Sequence, residues 1–404
     1  MIKLPYGISD YEELIENGYY YVDKTKYIEE IEEDVTYLMY VRPKKFGKTL
    51  FSSTLENYYD IKKADKFEKL FGNTYIGKNP TKNKNRYYIL KFDFANIDTT
   101  TKETTLQGFK KVVEESIKSF IDKYDVENRI NISMQEDDEP EMMFLKFINM
   151  FEISKPDEKI YVIIDNYDSF AKELHEGKGD LFQDLLVKKE KIRFFYEILK
   201  EGTESVIDRI FITGLTPITL DGLTSGFNIS YDITQNRRYN AMMGFTNEEL
   251  IQMMEDIGID KKEREELLHI MKENYGGYRF LKDATEKMCN PNMCLFFLND
   301  YIDRGKTPEQ LIYTNIASDY KKLGNMLDLC VGEERARIIE ESIAGRGIVS
   351  RITEKFNPAL EFEEKHLISV LFYLGYLTIV GDELWMPILK VPNGVMQKMW
   401  QESR

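Results

Sequence analysis

The chain has 404 residues, 42% hydrophobic, 13% aromatic and 31% charged, which is the apolar content of a folded protein long enough for two or three domains. Its 55 basic and 70 acidic residues leave a net charge of −15, a field that repels nucleic acid at long range and argues against a DNA-coating protein. No apolar run reaches the ~18 residues of a membrane span, the first residues show no signal peptide, and three cysteines with three histidines make neither a disulfide framework nor a zinc site. A soluble, cytoplasmic protein of a reducing compartment is expected.

In chain order, Tyr37–Val41 (YLMYV) reads as a strand buried on both faces, followed by a glycine-containing turn and a helix over Lys48–Tyr59. A polar loop over residues 77–86 leads to a strand over 87–94 (YYILKFDF). Next come a helix over 104–124, a solvated loop over 134–141 and a helix over 142–153. Residues 160–165 (IYVIID) form the clearest strand, an apolar run that ends in a carboxylate. A long amphipathic helix over 181–200, a strand over 209–213 (RIFIT) and a strand candidate over 228–233 complete the alternation. This order predicts an α/β core, a parallel sheet with helices on both faces.

From about Gly244 the pattern becomes mostly helical, and Thr246 with Glu249 makes a capping box where a domain boundary is expected. Residues 363–389 read as a helix and a hairpin, with strands over 376–380 and 383–386 joined by Gly381-Asp382. That order is winged-helix-like. The expected division is an N-terminal segment (1–35), the α/β core (36–244), a helical lid-like domain (245–330) and a winged-helix-like region (331–404).

The chemistry concentrates after the first strand. Arg42-Pro43-Lys44-Lys45-Phe46-Gly47-Lys48-Thr49 opens a helix, and a phosphate-binding loop has G-x-x-x-x-G-K-[ST] in that context. Gly47 lets backbone approach phosphate, Lys48 reaches the β- and γ-phosphates, and Thr49 offers a hydroxyl to magnesium. Arg42 stands in place of the first glycine, and the alternative is a lysine-rich surface turn. Asp165 arrives at the carboxyl edge of its strand, where open α/β sheets bind ligands, and pairs with Thr49 as a magnesium site; it could also be a plain cap. Asn166 follows, where a glutamate would activate water. Asp168 could substitute as base or cap a helix. Thr213 is placed to meet a γ-phosphate, whereas Arg237 and Arg238 read best as surface residues.

Five ordered segments carry a family resemblance: LPYGISDYEELIENGYYYVDKTKYI, RPKKFGKTLFSSTLENYYD, IIDNYDSFAKEL, TGLTPITLDGLTSGFNI and YGGYRF. The chain resembles the AAA-ATPase-like family from about residue 4 to residue 280, with weaker likeness beyond. The resemblance implies a P-loop NTPase core with an extra strand between the two nucleotide motifs, and ATP and Mg2+ as ligands. The family loop also reads R-P-x-x-F-G-K, so the resemblance implies a nucleotide site over Arg42, Pro43, Lys44, Lys45, Phe46, Gly47, Lys48, Thr49 and Leu50. By analogy with related signalling ATPases, Asp23, Lys24 and Thr25 are expected against the adenine base; the alternative is a capped helix start. The family's second motif is usually I-D-E-Y-D, so Asn166 is a departure that disfavours rapid hydrolysis more than binding. Many members continue into a PD-(D/E)XK nuclease-like domain, for which no room is expected after Val391. The expected function is slow ATP hydrolysis driving a conformational switch. Its rivals are a nucleotide-binding scaffold, with a protein partner or self-association, and a DNA-associated regulator. The acidic start of the last long helix, Glu361 to Lys365, disfavours nucleic acid.

Overall fold

Five parallel strands, β1 (Tyr37–Val41), β2 (Tyr87–Asp93), β3 (Lys159–Asp165), β4 (Ile207–Gly214) and β5 (Tyr231–Asp232), form one sheet in the order β2-β3-β4-β1-β5. The computed structural model describes residues 2–126, 138–169, 189–217, 227–309, 311, 323, 325–327, 333–353 and 363–402. The strand order places β4 between β1 and β3, the extra strand that the resemblance implies. Side chains alternate across the sheet as period two requires. Leu38, Tyr40, Ile89, Ile163 and Phe211 meet α1 (Tyr11–Glu16), α2 (Lys26–Glu33), α3 (Lys48–Tyr59), α4 (Phe67–Phe71) and α5 (Tyr75–Lys78) on one face. Met39, Val41, Phe92, Val162, Ile164 and Ile212 pack beneath α6 (Lys102–Tyr124), α7 (Pro140–Ile153) and α8 (Lys189–Gly202) on the other.

Most core elements fall within two residues of their expected bounds. The exceptions are local: α4, α5 and a 3₁₀ turn over Ile61–Lys66 occupy a stretch with no expected element, and the loop expected from 77 begins inside α5. Of the strand expected over 228–233, only Tyr231–Asp232 pairs with β1. Residues 134–137 of the expected loop and 181–188 of the expected helix lie outside the described residues.

Beyond the sheet come α9 (Asn247–Asp256), α10 (Lys261–Tyr275), α11 (Pro291–Arg304) and α12 (Glu333–Ile343). The α9 capping box forms as expected: Glu249 N donates to Thr246 Oγ1 (3.1 Å) and Thr246 N to Glu249 Oε2 (2.9 Å). Then follow β6 (Ile348–Val349), α13 (Glu364–Tyr373), β7 (Thr378–Glu383), β8 (Met386–Lys390) and α14 (Gly394–Glu402), with an antiparallel sheet in the order β6-β8-β7. The hairpin turn differs from expectation. It lies at Leu384-Trp385, both in left-handed conformations (φ 49° and 71°), whereas Gly381 sits at a register shift inside β7. The glycine marks a bulge, the other common use of glycine in a strand. Leu384 and Trp385 are 81% and 87% exposed at the tip. Helix α13 is buried from His366 to Tyr373 on every side. No helix among the described residues is long and apolar enough to cross a membrane.

The segment between α10 and α11 ties these parts together. Gly277 (φ 82°) lies so close to the Pro392 carbonyl oxygen that a methyl group has no room, and Arg279 N donates to Thr378 Oγ1 (2.7 Å) beside β7. Gly258 shares the left-handed conformation (φ 88°) but faces open space. Gly258→Ala should therefore pay only the backbone penalty of about 1–2 kcal/mol. Gly277→Ala should lose at least about 1 kcal/mol more by overpacking, and urea unfolding of the two variants side by side measures the difference.

Candidate functional site

The carboxyl ends of β1, β2, β3 and β4 are stitched together by backbone hydrogen bonds. Arg42 N donates to Gly214 O (3.3 Å), Tyr167 N to Thr213 O (3.1 Å) and Phe94 N to Asp165 O (3.2 Å). The loop from β1 to α3 turns on two left-handed residues, Lys45 (φ 65°) and Gly47 (φ 98°), and Gly47 serves as the N-cap of α3 without a side chain to cap it. Above this loop lies a cavity of about 540 Å³. Lys44 through Leu50 line one wall, and Asn166, Asp168 and Ala95 the sheet edge. The N-terminal segment contributes Tyr20, Tyr21, Val22 and Lys24, and the helical part contributes Met243, Phe245, Met253, Asn292 and Leu295. The apolar and aromatic share of these walls suits a planar base, and the loop suits phosphate.

Lys48 is the first residue of α3 and only 5% exposed; its ammonium donates to the carbonyls of Arg42 and Pro43, both at 2.9 Å. Burial pushes its pKa down to about 8, against the pull of Asp165 and Asp168. The lysine is thus part of the loop's own framework and not a solvated surface group. Asp165 is completely buried, with Oδ1 accepting from Asn166 N (2.9 Å) and Oδ2 without a hydrogen-bond partner among the described residues. Burial raises its carboxyl above the usual range, the Thr49 hydroxyl and Lys48 oppose that, and Asp93 adds to it. Thr213 Oγ1 is likewise buried without a partner among the described residues.

The other expected site residues have different surroundings. Arg42, 1% exposed, sits with its guanidinium 4.2 Å from the ring centroids of both Tyr40 and Phe280, donating to the Val41 and Thr234 carbonyls at 3.0 Å. Pro43 packs beside Gly375. Asp23 Oδ1 accepts from Thr25 N (2.8 Å) and Oγ1 (2.6 Å), Asp23 Oδ2 from Tyr75 N (2.7 Å), and Thr25 Oγ1 from Ile76 N (3.1 Å). These two residues therefore fasten the N-terminal segment to α5, while Lys24 alone of the three lines the cavity. Its ammonium donates to Ala241 O (2.8 Å) and Glu249 Oε1 (2.5 Å), and burial lowers its pKa. Asp168 accepts from Leu215 N (3.0 Å) and Thr216 N (2.8 Å), so it anchors the loop after β4. Arg238 pairs with Glu30 and Glu33 on the surface.

Partners of the loop and of Asn166 that pattern reading assigned no site role complete the site. Phe46 meets Tyr278 edge-on (5.0 Å between centroids) and Phe280 (5.6 Å), while Gly244 N donates to Phe46 O (3.0 Å). Asn290, the N-cap of α11, donates to Lys44 O (3.3 Å). Asp93, at the end of β2, accepts from Asn166 Nδ2 (2.9 Å). The same signal that marks Asp165, an apolar strand ending in a carboxylate, marks Asp93 in YYILKFDF.

The model of the AAA-ATPase-like family, described as a predicted AAA-ATPase, matches residues 5–224. An uncharacterized protein in the vnfD 5′ region of Azotobacter chroococcum mcd 1 is 24% identical over 299 residues, which cover 70% of this chain and 50% of that protein. The chain thus spans about half the length of the curated relative that it matches. The structure of the Aeropyrum pernix ORC1 protein in complex with DNA superposes with a TM-score of 0.32 and 9% identity, covering 98% of this chain and 94% of that one.

Phe280 touches both ends of the loop, through Arg42 and Phe46. Phe280→Ala should cost about 3–5 kcal/mol, read by urea unfolding, because it opens a cavity and strips one ring from a buried guanidinium.

Proposed function

The chain belongs to the AAA-ATPase-like family, and from that premise we propose that it binds ATP with magnesium in this cavity and hydrolyses it slowly. One observation carries the reading. Lys48 stands at the positive end of α3, a helix with a glycine N-cap and no acidic side chain in its first turn. A lysine ammonium beside a helix N-terminus whose backbone N–H groups have no side-chain cap is the combination that holds phosphate.

The residues fit a magnesium ion. Asp165 brings a buried carboxylate oxygen with no protein partner among the described residues, next to the Thr49 hydroxyl. These two would hold the ion, which when bound neutralises phosphate charge. No three of His, Cys, Asp and Glu gather as a metal cluster among the described residues; magnesium typically needs only one or two protein ligands beside phosphate and water. The Thr213 hydroxyl, without a partner among the described residues, would donate to the terminal phosphate. Lys44 through Leu50 would wrap the phosphates, with Lys24 on the facing wall. Arg42, Pro43, Asp23 and Thr25 would support those walls from behind.

Turnover should be slow because neither residue expected to activate water is a free carboxylate. Asn166 takes no proton at neutral pH, and Asp168 is engaged by Leu215 and Thr216. The same substitution favours the second reading, a nucleotide-binding scaffold without hydrolysis. In the first reading the helical lid-like part (245–330) and the winged-helix-like part (331–404) change pose on the core (36–244) and the N-terminal segment (1–35). The listener would be a cytoplasmic protein partner or a second copy.

Titration with labelled ATP, with and without magnesium and followed by product analysis, tests the reading. Wild type should bind more tightly with magnesium and release phosphate slowly. Lys48→Ala should lose binding, and Thr49→Ala should keep binding but lose the magnesium effect. Equal binding by Lys48→Ala would refute the phosphate site, and binding without any phosphate release would select the scaffold. Helix α13 is buried from His366 to Tyr373, and its first turn carries the ion pairs Glu363–Lys365 and Arg337–Glu364, which disfavours its entry into a groove. A gel shift at about 150 mM salt, near physiological ionic strength, should therefore show no sequence-specific duplex binding.

A further inference from the structure

Strands β2 and β3 end together, with Asp93 in register beside Asp165. Asp93 Oδ1 accepts from Ala95 N (3.0 Å) and from Asn166 Nδ2 (2.9 Å). Asn166 itself is left-handed (φ 54°), a conformation asparagine tolerates better than most residues, and its backbone N–H is held by Asp165 Oδ1. The residue is therefore fixed from two sides at the wall of the cavity.

A side-chain amide has a donor end and an acceptor end, and an ionised carboxylate only accepts. Asp93 thus dictates which way round the Asn166 amide sits: NH2 toward the carboxylate, and Oδ1 left without a partner among the described residues. We infer that Asp93 is the positioning residue of hydrolysis, locking Asn166 so that its oxygen accepts a hydrogen bond from the attacking water and orients it. This rests on the hydrolysis reading above and adds the residue that makes an asparagine usable at this place. The role matches that of the glutamine that orients water in GTPases. The water oxygen bonds to the γ-phosphorus as the bond to the bridging oxygen breaks. The electron pair leaves with ADP, and the water proton passes to a phosphate oxygen, because the amide holds water without taking its proton.

The test is a swap measured by steady-state phosphate release and labelled-ATP binding. Asp93→Asn removes the dictation, since an amide there can donate or accept; kcat should fall about tenfold or more, in the range of misorientation effects, with ATP affinity unchanged. Asn166→Asp sets two carboxylates against each other and should fall likewise. The double variant Asp93→Asn/Asn166→Asp re-creates an amide donating to a carboxylate and leaves an oxygen for the water, so kcat should return at least to the wild-type level. A merely structural role for Asp93 would not predict that rescue. Asp93 is exposed, and Asn166→Ala, expected to match Asp93→Asn, gives a second variant should the latter fail to fold. Unchanged kcat in Asp93→Asn, or a double variant as slow as the singles, overturns the inference while the ATPase reading stands. Binding of magnesium-ATP by wild type with no phosphate release overturns both.

Discussion

The grip of the YGGYRF segment on the β1–α3 loop is the contact on which the rest of the site depends. Phe46 packs edge-on against both Tyr278 and Phe280, and the Arg42 guanidinium lies against Phe280 from the other end of the loop. A guanidinium buried this deeply must recover its lost hydration, and it does so through backbone carbonyls and two aromatic faces. Those contacts fix the loop ahead of α3 without using the side chains of Lys48 or Thr49. The loop is consequently built by two parts of the chain far apart in sequence: the core supplies its backbone and the helical part its socket.

That arrangement links the helical part to the cavity by several routes. Asn290 holds the Lys44 carbonyl, Gly244 the Phe46 carbonyl, and the Lys24–Glu249 ion pair joins the N-terminal segment to the first turn of α9. Tyr20 adds a hydrogen bond to Asp256 at the far end of the same helix (2.7 Å). The β1–α3 loop is thus joined to the N-cap of α11 through the Lys44 carbonyl, and α9 to the N-terminal segment through Lys24 and Tyr20.

The parallel core was readable because its strands are apolar runs buried on both faces and its first helix follows a turn of known chemistry. The α9 cap was readable for the same local reason, Thr246 and Glu249 at the fixed spacing. Reading failed where a residue type has two uses. Gly381 marks a bulge and not a turn, while the real turn rests on Leu384 and Trp385, residues that no turn preference would select. Around the site, motif reading located the loop but not the direction of its side chains. Arg42 and Asp23 belong to the right segments yet point into packing, which only long-range contacts decide. Asp93 lies 72 residues before its partner Asp165 in the chain, and strand pairing alone brings them together.

The two tryptophans of the chain occupy opposite extremes. Trp400 is fully buried, whereas Trp385 stands in water at the tip of the β7–β8 hairpin, where Lys282 donates to its carbonyl two residues beyond Phe280. Their fluorescence is thus separable without mutation: a blue-shifted, protected emitter in the C-terminal core, and a red-shifted one open to collisional quenchers. Because the Trp385 backbone is held by Lys282, two residues beyond the ring that packs on the β1–α3 loop, quenching of its indole offers an optical readout of that contact in the native chain.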